Sequence, residues 1–107
     1  MTIYDTLKTA IQNRKCVKGK YSKDKPGIRK YCPHVLGTNS SGQQVVLVYQ
    51  FSGYSAKPID PAHPEVNWRC LQLTKLSLVG LIGSPFFTPS NYSATKQTNV
   101  ASIDYKI

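Results

Sequence analysis

Residues 45–51, VVLVYQF, constrain the fold more than any other stretch of this chain. The run is dense in β-branched and aromatic residues and is apolar at successive positions, as in a strand buried on both faces. Turn-forming sequences bound it: GTNSSGQQ (37–44) has the composition of a hairpin loop, and SGYSAKPIDPAHPE (52–65) holds prolines that prevent a continuous ladder. The sequence therefore predicts a central strand of a small barrel between a hairpin loop and a long surface loop.

The start of the chain predicts one amphipathic helix, within residues 1–14. Its apolar residues recur at helical spacing: Ile3, Leu7, Ala10 and Ile11. Thr2 followed by Asp5 has the form of a capping box. Because strand patterns follow, we expect the helix to cover one face or end of a sheet.

Further strands are predicted on both sides of the central one. The pattern indicates them at residues 15–22, 28–35, 67–73 and 78–82, with a last strand or extended tail from residue 100. The sequence KDKPG (23–27) predicts a turn, and Pro33 is tolerable only at a sheet edge or a bulge. The expected fold class is mainly β with one N-terminal helix (α+β), in a single domain of 1–107: helix 1–14, barrel 15–89, tail 90–107.

Positive charge dominates the composition. Fourteen Lys and Arg stand against five Asp and Glu, which leaves a formal net charge of +9, and between residues 14 and 30 only Asp24 opposes eight bases. Such a field attracts polyanions, so nucleic acid, nucleotides or other anionic ligands are the natural partners. The alternative is a solvated, lysine-rich surface that serves solubility.

The cysteines and the N-terminus bear on compartment and cofactors. Three cysteines without C-x-x-C spacing are poor material for a disulfide framework or a four-ligand zinc site, so we expect reduced thiols, no metal and no cofactor. The sequence has neither a signal-peptide pattern nor an apolar run of the ~20 residues that a membrane span needs. These features predict a cytoplasmic protein without a membrane partner.

The order of motifs resembles the WYL family, bacterial and phage-associated modules built as a small SH3-like (Sm-like) β-barrel of about five strands with a helix against it. The opening AIQNRKCVKGKY (10–21) is similar to the family's helix, basic patch and aromatic strand, and RKYCP supplies Arg29 four residues before Pro33. The later signature is similar to RCLQLTKL, with Arg69 and Lys75, followed by SPFFTP (84–89). The resemblance implies a ligand-sensing or nucleic-acid-binding regulator.

This chain departs from the family pattern at several positions. The strand that names the family is QVVLVY here (44–49), the acid and second arginine of the signature are Thr74 and Lys75, and an expected arginine is Gln72. Lysine keeps the positive charge but lacks the planar fork that grips phosphate or carboxylate bidentately. A ligand site that uses Lys75 is therefore less directional than the family's.

Candidate ligand-binding residues come from three parts of the chain. Arg69 would grip an anion while Trp68 stacks on a base, or instead Trp68 would plug the barrel end and Arg69 point outward. Arg29 and His34 precede the central strand, and His34 could donate to phosphate or change charge with pH, or be an ordinary edge residue. The remaining candidates are Lys75, Tyr21, Tyr49 and Gln50, of which the tyrosines could equally be core.

A second candidate surface is a basic patch for nucleic acid: Arg14, Lys15, Lys18, Lys20 and Lys30. With Tyr21 and Tyr31 interleaved, it is similar to an electrostatic track with stacking platforms. An edge strand defended by lysines against aggregation would have the same composition.

Enzymatic motifs are absent from the sequence, apart from Cys32 and His34, whose spacing on a strand would point both side chains to one face. We therefore expect a non-enzymatic regulatory module without catalytic residues that binds a negatively charged ligand, single-stranded nucleic acid or a nucleotide. The alternatives are a protein-interaction adaptor, which would use a sheet edge and the 52–65 loop, and a small Cys/His hydrolase.

Overall fold

One helix and six strands form the part of the chain that the computed structural model describes, residues 2–21, 27–53, 58–93 and 100–107. The helix is α1 (Ile3–Asn13), and the short 3-10 turns are η1 (Pro64–Val66) and η2 (Leu73–Lys75). The strands are β1 (Cys16–Tyr21), β2 (Arg29–Asn39), β3 (Gln44–Ser52), β4 (Trp68–Gln72), β5 (Leu76–Ile82) and β6 (Val100–Lys106). The predicted class, mainly β with one N-terminal helix, is confirmed.

The strands build one antiparallel sheet in the order β4-β3-β2-β1-β5, with β6 paired to β2 outside this path. Strand β2 has neighbours on both sides along much of its length. Its first residues pair with β1, its last residues pair with β6, and β3 runs along the opposite side. The predicted C-terminal strand therefore exists, and it extends the side of the sheet that β1 begins.

The sheet is not closed into the barrel that the sequence led us to expect. Strands β4 and β5 lie at the two ends of the strand path, and the described residues form no ladder between them. Barrel closure requires paired edges. Here the two edge strands follow each other directly through η2, so they meet at that corner without hydrogen-bonded pairing.

The helix packs against one face of the sheet, which we call the inner face. The Thr2 side chain accepts from the Asp5 N–H, and the Asp5 carboxylate accepts from the Thr2 N–H, which is the predicted capping box. Leu7, Ala10 and Ile11 are buried, as the helical spacing predicts. They join one core with the inner-face residues of the sheet, among them Val17, Tyr31, Leu36, Val46, Val48 and Leu71.

A β-bulge explains how proline fits into the middle of β2. Pro33 pairs with Val48 and Val35 pairs with Leu47, so that His34 is an extra residue without a counterpart on β3. The expectation that Pro33 requires an edge or a bulge is confirmed. Beyond the bulge, β2 continues to Asn39, four residues past the predicted strand end.

Segments without regular structure cover parts of the sheet. Asn67 is buried and fastens the preceding loop, because its Nδ2 donates to the Asp60 carbonyl oxygen and its Oδ1 accepts from the Asp60 N–H, both at 2.9 Å. Residues 83–93 lie against the face opposite α1, which we call the outer face. Most of the predicted 23–27 turn and of the polar run after Pro89 lies outside the described residues.

Candidate anion-binding site

Polar residues occupy one end of the inner face, beyond the apolar core. Tyr31 pairs with Gln50, and Val48 pairs with Arg69, so alternation places Gln50 and Arg69 on the face that carries Val48. Arg29 lies two residues before Tyr31 and shares its face. Gln50 is fully buried and Arg29 is only 8% exposed, so the core face ends in a buried polar group instead of in solvent.

Arg29 is held in place from two sides. Its Nη1 donates to Gln50 Oε1 at 3.2 Å, and its guanidinium lies over the Tyr21 ring at 4.8 Å from the centroid. A cation over an aromatic face is stabilised by the ring quadrupole. Gln50 in turn donates from Nε2 to the carbonyl oxygens of Ser52 (3.2 Å) and Gly53 (3.4 Å). These contacts hold the Arg29 guanidinium in one position.

Gly53 is required for this arrangement. Its φ of 95° belongs to the left-handed region, and a Cβ there would collide with the Ile28 carbonyl and the Arg29 backbone. The end of β3 can thus approach the start of β2 closely, and this approach brings Gln50 within reach of Arg29.

Arg69 brings a second guanidinium to the same region. Its Nη1 donates to the carbonyl oxygens of Trp68 (2.8 Å) and Val66 (3.2 Å). Burial and then the positive charge of Arg29 lower the pKa of Arg69. Register thus places two guanidiniums on the same face of neighbouring strands, and the positive charge of each disfavours that of the other.

Tyr21 connects this site to the edge of the sheet. Its hydroxyl accepts a hydrogen bond from the Gln72 N–H at 3.2 Å, which ties the end of β1 to the end of β4. The residues brought together here are four of the predicted ligand-binding residues: Arg29, Arg69, Gln50 and Tyr21. Lys75 lies exposed on η2, at the corner between β4 and β5, and its predicted role remains a prediction.

Three other predicted ligand-binding residues, His34, Trp68 and Tyr49, lie on the outer face. Tyr49 pairs with both Cys32 and Trp68, one position out of phase with the inner-face residues. The His34 ring contacts Trp68, Phe86 and Tyr92 at centroid distances of 4.9, 4.8 and 5.3 Å. Sheet alternation therefore separates these three residues from the arginine pair, so that Arg29 and His34 do not lie at the same site.

His34 is a neutral, fully buried residue of this outer-face cluster. Its Nδ1 lies 2.7 Å from the Cys32 carbonyl oxygen, which can only accept, so Nδ1 carries the proton and Nε2 accepts from the Thr88 hydroxyl at 2.9 Å. Burial lowers the pKa of His34 to about 4, against the opposing hydrogen bond to Cys32. The ring serves to fasten residues 84–92 to the sheet.

This geometry gives no support to a Cys/His hydrolase. Both ring nitrogens of His34 are engaged away from the Cys32 thiol, and burial raises the pKa of that thiol to about 12. A nucleophilic cysteine needs a base within reach and a lowered pKa.

The predicted basic patch is divided between two places. Lys18 and Lys30 are exposed and lie directly opposite each other on β1 and β2, on the outer face. Arg14 and Lys15 are exposed at the end of α1, where Arg14 adopts φ 51° as the helix C-cap, and Lys20 is half-buried. Only Lys18 and Lys30 are shown side by side, and like charges in this position repel each other.

The sequence interpretation missed the contacts beneath residues 84–92. Phe86 and Tyr92 build the outer-face cluster with His34, and Phe87 lies 5.4 Å from Tyr49 between ring centroids. The Cys16 and Cys32 sulfurs lie 3.1 Å apart under the same segment. Cys16 and Cys32 become neighbours through the strand register, which places Val17 opposite Tyr31. The sequence would have indicated this contact only if that register had been known.

Neither a metal site nor a membrane-spanning helix is found in the described part of the chain. Among the described residues, no group of three or more His, Cys, Asp or Glu is placed to hold a metal ion. No helix in the described part of the chain has the length and apolar character to cross a membrane.

No protein-family model matches the chain, and no curated protein or solved structure matches it. The resemblance to the WYL family thus remains a prediction from the residues quoted above.

Proposed function

We propose that this protein is a non-enzymatic regulatory module that binds a negatively charged ligand, single-stranded nucleic acid or a nucleotide, through Arg29 and Arg69. The observation that carries the proposal is the strand register, which places Arg29, Gln50 and Arg69 together on the inner face, at its buried polar end. Arginine forks match phosphate geometry bidentately, and a guanidinium already held by Gln50 and Tyr21 loses little freedom on binding. The proposed function requires no cofactor.

The overall charge supports a phosphate-bearing ligand over a neutral one. The net charge of +9 concentrates polyanions near the protein and speeds their encounter. The facing lysines Lys18 and Lys30 add a local positive field on the other face of the sheet. Neutralising them with phosphates would remove a repulsion that the free protein carries.

The WYL resemblance supports the same two residues. Arg29 belongs to the RKYCP motif and Arg69 to the RCLQLTKL motif, forty residues apart in the chain. Such modules act as sensors for a partner, so we propose a regulatory role for this chain in the cytoplasm, a compartment in which free cysteines are common.

A salt-dependent titration tests the proposal. Binding of a fluorescent single-stranded oligonucleotide should weaken as salt rises, and Arg29→Ala and Arg69→Ala should each weaken it roughly 10- to 100-fold, as for hydrogen bonds to charged groups. Arg69→Lys keeps the charge but loses the fork, so it should recover only part of the affinity. Competition with a mononucleotide at the same salt distinguishes a nucleotide site from a strand-binding site.

Lys106→Ala is the matched control, because it removes one exposed positive charge from β6, away from the arginine pair. It should change affinity only by the small amount expected for a screened surface charge. Equal losses of oligonucleotide affinity in Lys106→Ala and Arg69→Ala, with unchanged circular dichroism spectra, would count against a defined site. Non-specific electrostatic attraction would then explain the binding.

A protein-interaction adaptor is the second candidate function. Strands β4 and β5 end the strand path, and the edge of a sheet can take up an extended segment of a partner. Binding of such a partner should tolerate Arg29→Ala, which changes the arginine pair and leaves the sheet edge intact.

A further inference from the structure

Cys16 and Cys32 lie next to each other on the outer face. Val17 pairs with Tyr31, and continuing this antiparallel register by one residue places Cys16 opposite Cys32. Their sulfurs are 3.1 Å apart, and both residues are fully buried. Opposite residues of antiparallel strands have Cα atoms about 4.5–5.5 Å apart, within the range of about 4.4–6.8 Å that disulfides require.

The hydrogen bonds of the two thiols form a chain with one direction. The Cys16 thiol donates to the Pro85 carbonyl oxygen at 3.3 Å, since a carbonyl can only accept. The hydrogen between the two sulfurs therefore belongs to Cys32, which donates to Cys16, and the Phe87 N–H donates to the Cys32 sulfur. Both ends of this chain lie in residues 84–88, which also hold His34 through Thr88.

We propose that Cys16 and Cys32 form a reversible dithiol–disulfide site, which hydroperoxides or small disulfides oxidise when residues 84–88 lift from the outer face. Burial raises the pKa of both thiols while the segment covers them, so oxidation requires the lifted state, in which Cys16 reacts first because its thiolate would accept a hydrogen bond from Cys32. Closing the sulfurs from 3.1 Å to a bond of about 2.05 Å requires a movement of about 1 Å, which two facing side chains can supply.

The chemistry balances with a hydroperoxide as oxidant. The Cys16 thiolate attacks the O–O bond, becomes a sulfenic acid and releases the first water or alcohol. The Cys32 thiol then displaces hydroxide from the Cys16 sulfur, so that the S–S bond forms and a water leaves with the Cys32 proton. The two sulfurs together lose two electrons, which reduce the peroxide.

Oxidation changes the contacts of the covering segment. A disulfide carries no S–H, so the Pro85 carbonyl loses its donor and the Phe87 N–H keeps a poorer acceptor. The bond between Thr88 and His34 then remains as the polar tie of this segment to the sheet among the contacts described above. The disulfide state should expose Phe87, which is already 48% exposed, together with Tyr49 beneath it.

Mass spectrometry of the folded Cys70→Ser variant tests the site, because this variant keeps both facing thiols and removes the third cysteine. After hydrogen peroxide treatment and alkylation, we expect a mass lower by two hydrogens, no alkylated cysteine, and a cross-linked peptide pair that dithiothreitol separates. Separate sulfinic acids on either cysteine, or a cross-link that forms in urea but not in native buffer, would overturn the proposal.

The rate of oxidation tests the role of the covering segment. Thr88→Val removes the hydroxyl that donates to His34 without a large change in shape, so it should speed disulfide formation several-fold. Thr38→Val, in β2, is the matched control and should leave the rate unchanged. The same rate in Thr88→Val and in the parent protein would show that residues 84–88 do not control access.

Discussion

At the residue scale, His34 couples the stability of the fold to pH. Its folded pKa of about 4 lies below the ordinary value of 6.5, so the unfolded chain binds a proton more readily than the folded one. The stabilising contribution is complete above pH 6.5 and is lost as the pH falls towards 4. The gap corresponds to about 3 kcal/mol of unfolding free energy once both states are protonated.

Urea unfolding between pH 7 and pH 4 measures this contribution. His34→Asn preserves a donor for the Cys32 carbonyl but does not titrate, so we expect lower stability at pH 7 and a flatter pH profile than in the parent protein. His63→Asn is the control: His63 is exposed, and the Asp60 hydrogen bond raises its pKa, so that its contribution has the opposite sign and is lost as the pH rises. Parallel profiles for the parent and His34→Asn would contradict the assignment.

Gly53 supports the candidate site by a close backbone approach. Gly53→Ala places a Cβ against the Ile28 carbonyl at positive φ, so we expect a loss of roughly 1–3 kcal/mol in unfolding free energy and weaker oligonucleotide binding. Gly42→Ala has a similar φ of 82° but meets nothing within 4 Å. It should cost only the backbone strain of about 1 kcal/mol and leave binding unchanged. Both quantities follow from urea unfolding and the oligonucleotide titration.

At the scale of elements, β2 organises the molecule, since it pairs with β1, β3 and β6. The pairing with β6 depends on Gly37, where a Cβ would collide with the Ser102 carbonyl and the Val100 side chain. Strand β6 is mostly exposed, so it has few buried side chains to compensate for a displaced backbone.

Gly37→Ala should therefore detach β6 from β2 and destabilise the fold by roughly 1–3 kcal/mol, the usual cost of overpacking. Hydrogen exchange should show faster exchange at the amides of residues 100–106. Gly80→Ala, in β5, is the matched strand control, because its Cβ would meet nothing within 4 Å. Unchanged protection of β6 in Gly37→Ala would argue against this contact.

Local patterns predicted the elements because they are properties of short stretches. The capping box of Thr2 and Asp5, the buried positions of α1 and the bulge at Pro33 could all be inferred from neighbouring residues. The open sheet could not, because closure depends on how β4 and β5 meet across the molecule.

The candidate site was predictable only in part, because the face that a strand residue occupies depends on the register with the neighbouring strand. Arg29, Gln50 and Arg69 share a face by strict alternation once the registers are known. His34 and Trp68 were placed with them because one residue of shift cannot be seen without the partner strand. The facing thiols depend on register in the same way.

At the scale of the whole molecule, positive charge acts against the compact state. The net charge of +9 and the facing pair of Lys18 and Lys30 both raise the energy of the folded protein, and salt screens such repulsion. The protein should thus become more stable as ionic strength rises, while its affinity for oligonucleotides falls.

Thermal unfolding in a series of salt concentrations checks this. The melting temperature should rise with salt, and Lys30→Gln should raise it at low salt by the equivalent of roughly 0.2–1 kcal/mol, with a smaller gain at high salt. Lys106→Gln lowers the net charge equally but removes no facing pair. If both variants gave the same shift, net charge and not the cross-strand pair would be responsible.

The extra residue in β2 also sets the phase of the strand. Arg29 and Leu36 are an odd number of positions apart, yet both point to the inner face, because His34 is inserted between them without a counterpart on β3. Deletion of His34 would leave an unbroken alternation from Arg29 to Leu36, with Leu36 and Gly37 facing as they do now, and would remove the ring that ties residues 84–92 to the outer face. The inserted residue thus adds an outer-face contact without changing which residues of β2 enter the core.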